Sequence, residues 1–300
     1  MVRRISLKPP RFTYACPQTL DEAMRMLAEQ PDAKILAGGQ SLMPMLNLRV
    51  AAPAALVDIN RVAELSFIEV DGGEIRIGAM TRQRALETSP EIRAALPILG
   101  RGALEIGHLA IRNRGTIGGS LVHADPAAEW PLLAILLDAR LVVRSARGAR
   151  TIAAREFFSG PLTSAIEPCE ILTEIRFPIA PPATRFGFAE MCRRRGDFAI
   201  VAVACAIGFD SRNRCISAEV SIGGASPTPV LSATAGTALK STNDVNRAID
   251  TAAEMAATEA DPSSDLHASA EFRRHLVRVL TERALRQCFG PAQVEEALDA

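Results

Sequence analysis

Two glycine doublets carry the residue types best suited to chemistry in this chain. In Ala37-Gly38-Gly39-Gln40-Ser41-Leu42 the glycines follow a short apolar run and precede a stretch that reads as a helix. Consecutive glycines admit positive φ and turn successive N–H groups to one side, the arrangement that cradles a phosphate. A helix starting beside them adds partial positive charge. Thr116-Ile117-Gly118-Gly119-Ser120 offers the same equipment about 80 residues later, so the two turns together could hold a pyrophosphate from both sides. Taken singly, each is more often an ordinary tight turn. Asp71-Gly72-Gly73 and Gly223-Gly224 read as that, a hairpin turn and a loop.

The residues around the second doublet leave alternatives open. Asp125 and Glu129 stand four residues apart at a helix start. There a carboxylate either accepts hydrogen bonds from ribose hydroxyls or caps the helix. Arg112 and Arg114 are phosphate ligands or, in the preferred reading, solvated loop charges. Neither doublet has the G-x-G-x-x-G spacing of a dinucleotide fingerprint, and no G-K-S/T follows either one. His108 and His123 lie in this loop without a triad-like partner, so a hydrolase reading is poor. The four histidines show no zinc-ligand spacing.

The elements that must position these turns follow from periodicity. Thr19-x-x-Glu22 is a capping box, and Leu20, Ala23, Met24 and Leu27 then keep helical spacing until Pro31-Asp32. Lys34–Ala37 and Ala55–Ile59 read as short buried strands, and Ser41–Leu48 as a short helix. From about residue 60 the pattern changes to a hairpin, Leu65–Val70 and Glu74–Ala79 around the glycine turn. Helices are expected at Thr81–Thr88, Ile92–Leu104 and Ala127–Leu137, with a loop lacking clear periodicity over Glu105–Asp125. Leu141–Arg144 and Ile171–Phe177 read as strands closing this part, and Pro178-Ile179-Ala180-Pro181-Pro182 as a linker. Beyond it come three β-like runs, Arg185–Cys192, Ile200–Phe209 and Cys215–Ile222, the second equally readable as a helix. The last helix, Ser269–Cys288, puts Phe272, Leu276, Val279, Leu280 and Leu285 on one face, with Arg273, Arg274, Arg278 and Arg283 elsewhere.

Composition narrows the class. With 34 Lys+Arg against 34 Asp+Glu the chain is neutral, which removes the drive toward nonspecific nucleic-acid binding. Its 300 residues suffice for two or three cores. No apolar run approaches the roughly 18 residues of a membrane helix, so no membrane span is expected. The pair Arg3-Arg4 is followed by no apolar stretch, so no export signal is expected either. Six dispersed cysteines without a C-x-x-C pair suit a reducing, cytoplasmic compartment and cannot hold an iron–sulfur cluster.

The ordered set of motifs resembles a known family. Ala37–Leu42, Ile111-Arg112-Asn113-Arg114-Gly115-Thr116-Ile117-Gly118-Gly119-Ser120 and His123-Ala124-Asp125-Pro126-Ala127-Ala128-Glu129 are similar to the FAD-binding medium subunit of molybdenum hydroxylases, the carbon monoxide dehydrogenase and xanthine dehydrogenase type. Arg195-Gly196-Asp197-Phe198-Ala199, Gly223-Gly224-Ala225 and Ala270-Glu271-Phe272-Arg273-Arg274-His275-Leu276 extend the likeness across essentially the whole chain. The resemblance implies a mixed α/β and α+β fold. Two FAD-binding α/β subdomains, residues 1–59 and 60–178, would precede an α+β domain, 183–300, with a three-stranded antiparallel sheet and helices.

FAD would lie extended between the first two. Leu36, Ala37, Gly38, Gly39, Gln40, Ser41 and Leu42 would cradle its pyrophosphate together with Thr116, Ile117, Gly118, Gly119 and Ser120. Asp125 and Glu129 fall on the acidic ribose or ribityl side. Ile106, Gly107 and Phe198 fall beside the isoalloxazine ring, and Ile171 and Leu172 on a strand meeting the adenine or flavin edge. Phe198 departs from relatives that carry tyrosine, and Ser264-Asp265-Leu266-His267-Ala268 departs from the usual glycine-led entry to the last helix.

The implied function is electron transfer. The flavin takes electrons from a small [2Fe–2S] subunit, supplied by a large molybdenum-cofactor subunit, and passes them to an external acceptor, in a doubled heterotrimer. No acid–base dyad is then required of this chain. The alternatives are a free-standing FAD oxidoreductase acting on a small organic substrate, which needs a substrate base or a covalent flavin site, and a non-enzymatic nucleotide-binding scaffold.

Overall fold

The computed structural model of the chain describes residues 8–30, 32–240 and 244–290; Arg3-Arg4 and the expected break at Pro31 lie outside them. Three sheets organise it, each built close to the segments that periodicity marks. The first is parallel, with Ala55–Asp58 between Thr13–Ala15 and Ala33–Leu36. Helix Leu20–Glu29 packs Leu20, Ala23, Met24 and Leu27 into this core. Its start is closed by Thr19 Oγ1, which accepts from Glu22 N at 3.2 Å, while the Glu22 carboxylate reaches back to Gln18 N at 2.9 Å. Strand Thr13–Ala15 escapes pattern reading because it is three residues long and mostly exposed.

The second sheet has five antiparallel strands in the order Ile68–Asp71, Glu74–Gly78, Ile171–Pro178, Arg140–Ser145, Gly148–Ala153. Gly72 and Gly73 turn its first hairpin at φ +57° and +86°. The edge strand Gly148–Ala153 is unexpected, since four of its six residues are exposed and leave no alternating signal. A small hairpin, Phe158–Gly160 with Thr163–Ser164, is likewise too short to read. The single helix expected at Ile92–Leu104 is two, Pro90–Ala95 and Pro97–Glu105. Pro97 has no N–H and forces its predecessor out of helical backbone, and Leu96 sits at φ −151°, ψ 68°. The loop expected at Glu105–Asp125 holds two short helices, Leu109–Arg112 and Ile117–His123.

Helix Glu129–Leu136 is buried at every residue, so it shows no amphipathic stripe. Its core is continuous with Phe188, Ala202 and Ala204 of the third sheet and with Ala199 just before its second strand, and Ser221 Oγ donates to Leu132 O at 3.2 Å. That sheet is antiparallel and runs Thr184–Met191, Val201–Phe209, Cys215–Gly223, Val230–Leu231, one two-residue strand more than the expected three. The run Val201–Phe209 is a strand because it has a partner on both sides. Helix Ala270–Phe289 covers the sheet through Leu276, Val277, Leu280, Ala284, Leu285 and Cys288. Arg273 lies on this buried side and Phe272 is exposed, opposite to the expected face assignment.

Candidate functional site

The two glycine turns meet. Gly38 passes so close to Arg114-Gly115 that a Cβ there would fall inside van der Waals contact of Arg114 O and lie 2.8 Å from Gly115 Cα. A Cβ on Gly119 would stand 3.4 Å from Ala37 Cβ. Gly39 adopts φ +72°, which turns the chain between the strand and helix Leu42–Asn47. Among the described residues the amides of Gly38, Gly39, Gln40 and Ser41 donate no hydrogen bond. Ser41 precedes the helix without capping it through its side chain, and Gln40 Nε2 folds back to Gly38 O at 3.0 Å. A cleft of about 420 Å³ is lined by Gly38, Gly39 and Gln40, and further by Leu36, Met43, Asp58, Asn60 and Arg114. Adjacent amide donors without acceptors at the wall of a cleft that also carries the Arg114 guanidinium suit an anion.

The second turn is built differently from the expectation. Ile117 N donates to Thr81 O, Gly118 N to Ala79 O at 2.9 Å, Gly119 N to Thr116 Oγ1 at 3.1 Å and Ser120 N to Thr116 O. All four amides are satisfied inside the protein, so this segment is not a second nest. Its glycines serve close packing, since a Cβ on Gly118 would lie 2.6 Å from Ala79. What it presents toward the first turn is a snug backbone wall and the partly exposed Ser120.

The arginines separate. Arg112 is neither a phosphate ligand nor a solvated charge, for it donates to Ile106 O at 3.1 Å, Gly107 O at 2.9 Å and Glu87 Oε2 at 2.8 Å. It holds the Ile106-Gly107 bend, where Gly107 has φ +53°. Arg114 lines the cleft, and its side chain makes no hydrogen bond among the described residues. Two further cleft residues, Asp58 and Asn60, carry no sequence signal beyond their spacing at a strand end. Asp58 accepts from Tyr14 Oη at 2.6 Å and from Asn60 N at 3.0 Å, and Asn60 accepts from Arg82 at 2.7 Å. Burial pushes the Asp58 carboxyl up, but the Tyr14 and Asn60 hydrogen bonds and the Arg114 charge outweigh it and hold it below the usual range.

A second cluster lies where the third sheet meets this region. A Cβ on Gly196 would be 2.8 Å from the His108 ring and 3.1 Å from Gly107 C, so the turn carrying Phe198 is seated on Ile106–His108. Phe198, two residues beyond Gly196, is 60% exposed, while Ile106 is buried. Ile171 and Leu172 are also buried, the first in the core of the parallel sheet and the second in that of the large sheet. Their side chains are thus committed to packing. Asp125 Oδ1 accepts from Ala127 N at 2.9 Å, so it caps the approach to helix Glu129–Leu136.

Glu129 is 5% exposed, and its pKa is pushed up to about 8 by burial first, with the charges of Glu190, Glu105 and Asp125 adding to it. Glu190 rises to about 7 by burial and by Glu105. At neutral pH Glu129 is therefore a carboxylic acid able to donate as well as accept. The unfolded chain releases these protons near 4.5, the folded chain only near 7 and 8. Stability of the ligand-free chain thus falls as pH rises from about 4.5 through 8 and levels off above that. Glu129→Gln, which cannot ionise, is expected to flatten most of this slope in urea unfolding followed between pH 5 and 9 (about the span of these pKa values); an unchanged slope would show that Glu129 ionises normally.

Comparison with known proteins extends the picture to the whole chain. Residues 10–180 match a family model described as the FAD binding domain in molybdopterin dehydrogenase, and residues 186–288 one described as the CO dehydrogenase flavoprotein C-terminal domain. The 6-hydroxypseudooxynicotine dehydrogenase complex subunit alpha of Paenarthrobacter nicotinovorans is 39% identical over 98% of this chain and 100% of its own length. The carbon monoxide dehydrogenase medium chain of Hydrogenophaga pseudoflava is 35% identical over 94% of this chain and 98% of its own. Among solved structures, quinoline 2-oxidoreductase from Pseudomonas putida 86 superposes with a TM-score of 0.91 at 36% identity, covering 96% of this chain and 100% of that one.

Proposed function

This chain belongs to the family of FAD-binding medium subunits of molybdenum hydroxylases, and on that premise we propose that it is the electron-transfer subunit of such a complex, receiving electrons from a [2Fe–2S] partner subunit and delivering them to an external acceptor. The observation that carries the reading is the row of undonated amides at Gly38–Ser41, backed by the wall of the second turn. That surface suits a diphosphate, and the family's cofactor carries one.

In this reading Leu36–Leu42 would hold the diphosphate, through the amides of Gly38–Ser41, with Thr116–Ser120 closing the other side by shape and by the Ser120 hydroxyl. Glu129 and Asp125 would meet the sugar-alcohol part, Glu129 as a donor in its neutral form. Ile106, Gly107 and Phe198 would bound the ring, while Ile171 and Leu172 would meet the adenine or flavin edge. FAD, when bound, supplies a centre that exchanges electrons one or two at a time. The protein's own residues bind it, orient it and exclude water.

Three domains, 1–59, 60–178 and 183–300, fit this division of labour, one for each sheet. The partners would be a small iron–sulfur subunit and a large molybdenum-cofactor subunit, doubled, in the cytoplasm. Among the described residues no helix is long and apolar enough to cross a membrane.

Purified chain is expected to show a flavin absorption spectrum and to release FAD on acid treatment at about one per chain. A colourless protein that stays colourless after incubation with FAD would refute the reading. Pigmented protein that purifies from its own cells without iron or molybdenum would instead favour a free-standing flavin oxidoreductase.

A further inference from the structure

The two turns are joined by more than contact. Arg82 stands just before helix Gln83–Thr88, and one of its guanidinium nitrogens donates to Arg114 O at the entry to the second turn. The other donates to Asn60 Oδ1 at 2.7 Å, and Asn60 Nδ2 donates to Ala37 O at 2.8 Å at the entry to the first. An unbroken line of three hydrogen bonds thus runs from turn to turn behind Gly38. Its orientation is fixed at the middle, because Asp58 Oδ1 accepts from the backbone and side-chain nitrogens of Asn60, leaving the amide oxygen to face Arg82. The Arg82 end is held by backbone, with Gln83 N donating to Gly115 O at 3.0 Å and Ile117 N to Thr81 O at 3.2 Å.

We propose that Arg82, acting through Asn60, is a positioning residue that sets the separation of the two glycine turns and thereby the affinity of the cleft for a diphosphate; the proposal rests on the FAD reading above. A strut of this kind needs a rigid, planar group with two divergent donors, which guanidinium is and ammonium is not. Electrostatics points the same way. Burial and the neighbouring Arg114 guanidinium both disfavour the charge on Arg82, and Asp58 alone offsets them. An anion entering between the turns relieves that repulsion.

The test uses the full 300-residue chain, stripped of flavin, with FAD affinity read from flavin fluorescence and the visible band. Arg82→Lys and Asn60→Ala are each expected to weaken FAD binding about ten- to a hundredfold, the loss of charge-assisted hydrogen bonds. The double variant should be about as weak as the worse single one, because both break one strut. Melting of the flavin-free variants should stay within about 3 °C of the parent. Affinities within about threefold of the parent in both single variants, or losses that only track a falling melting temperature, would overturn the positioning role. A parent chain that binds no FAD would overturn the FAD reading itself, a different failure.

Discussion

Replacing Gly38 with alanine is expected to weaken FAD binding by more than about a hundredfold, since it both overpacks the cleft wall and displaces the amide donors. Gly38 is there for space. An added methyl would meet Arg114 O and lie 2.8 Å from Gly115 Cα. Both are backbone atoms, so no change of rotamer relieves the overlap and the turns must part. The undonated amides of Gly38–Ser41 would shift away from the second turn, and the flavin-free chain would lose about 1–3 kcal/mol of stability. Gly72→Ala gives the contrast. That residue has φ +57° with nothing within 4 Å of the added Cβ, so it should cost about 1 kcal/mol of stability and leave FAD affinity untouched. Equal affinities for Gly38→Ala and the parent would mean that the cleft is not where the diphosphate binds.

The largest effect on the fold itself is expected from Arg273→Met. Nη1 donates to Ile200 O at 2.5 Å and Gly224 O at 2.7 Å, and Nη2 pairs with Asp265 at 2.7 Å. Ile200 and Gly224 flank the ends of the two central strands of the third sheet, so this one side chain pins the start of the last helix to that sheet. Methionine fills the volume but leaves two carbonyls without a donor, which costs about 2–4 kcal/mol. Asp265, held down to about 2 by the Ala268 amide and by Arg273, is itself a probe of the same contact. Its ionised form stabilises the fold above the ordinary aspartate range, and that contribution is lost as pH falls from about 4 toward 2. Denaturant unfolding of the variant should show the deficit at neutral pH and a weaker acid dependence below pH 4 (about the unperturbed value). A stability equal to the parent's would show that water replaces the guanidinium at both carbonyls.

Much of this architecture is written locally. The capping box at Thr19, the apolar spacing of Leu20, Ala23, Met24 and Leu27, and the hairpin at Gly72-Gly73 depend on residues within a turn or two of each other, and the structure has all three. The ordered motifs across the chain also point to the family that the whole-chain matches show. Structure departs from local pattern where one short-range preference overrides another. Pro97 splits a helix whose apolar period runs through it. Helical spacing sets Arg273 off the apolar face, because it carries no information on the Ile200 and Gly224 carbonyls across from it.

The two glycine doublets mark the boundary most clearly. They look alike in sequence, yet one keeps its amides without acceptors and the other donates all of them to Thr81, Ala79 and Thr116. Sequence by itself determined the class of chain, the positions of its turns and most of its elements, since backbone preference and hydrophobic period are properties of neighbours along the chain. Only the tertiary structure decided which turn offers free donors, that Arg82 and Asn60 link the two, and that Glu129 stays protonated at neutral pH. Hydrogen-bond partners and local dielectric are set by groups brought together across tens of residues, and no local pattern encodes them.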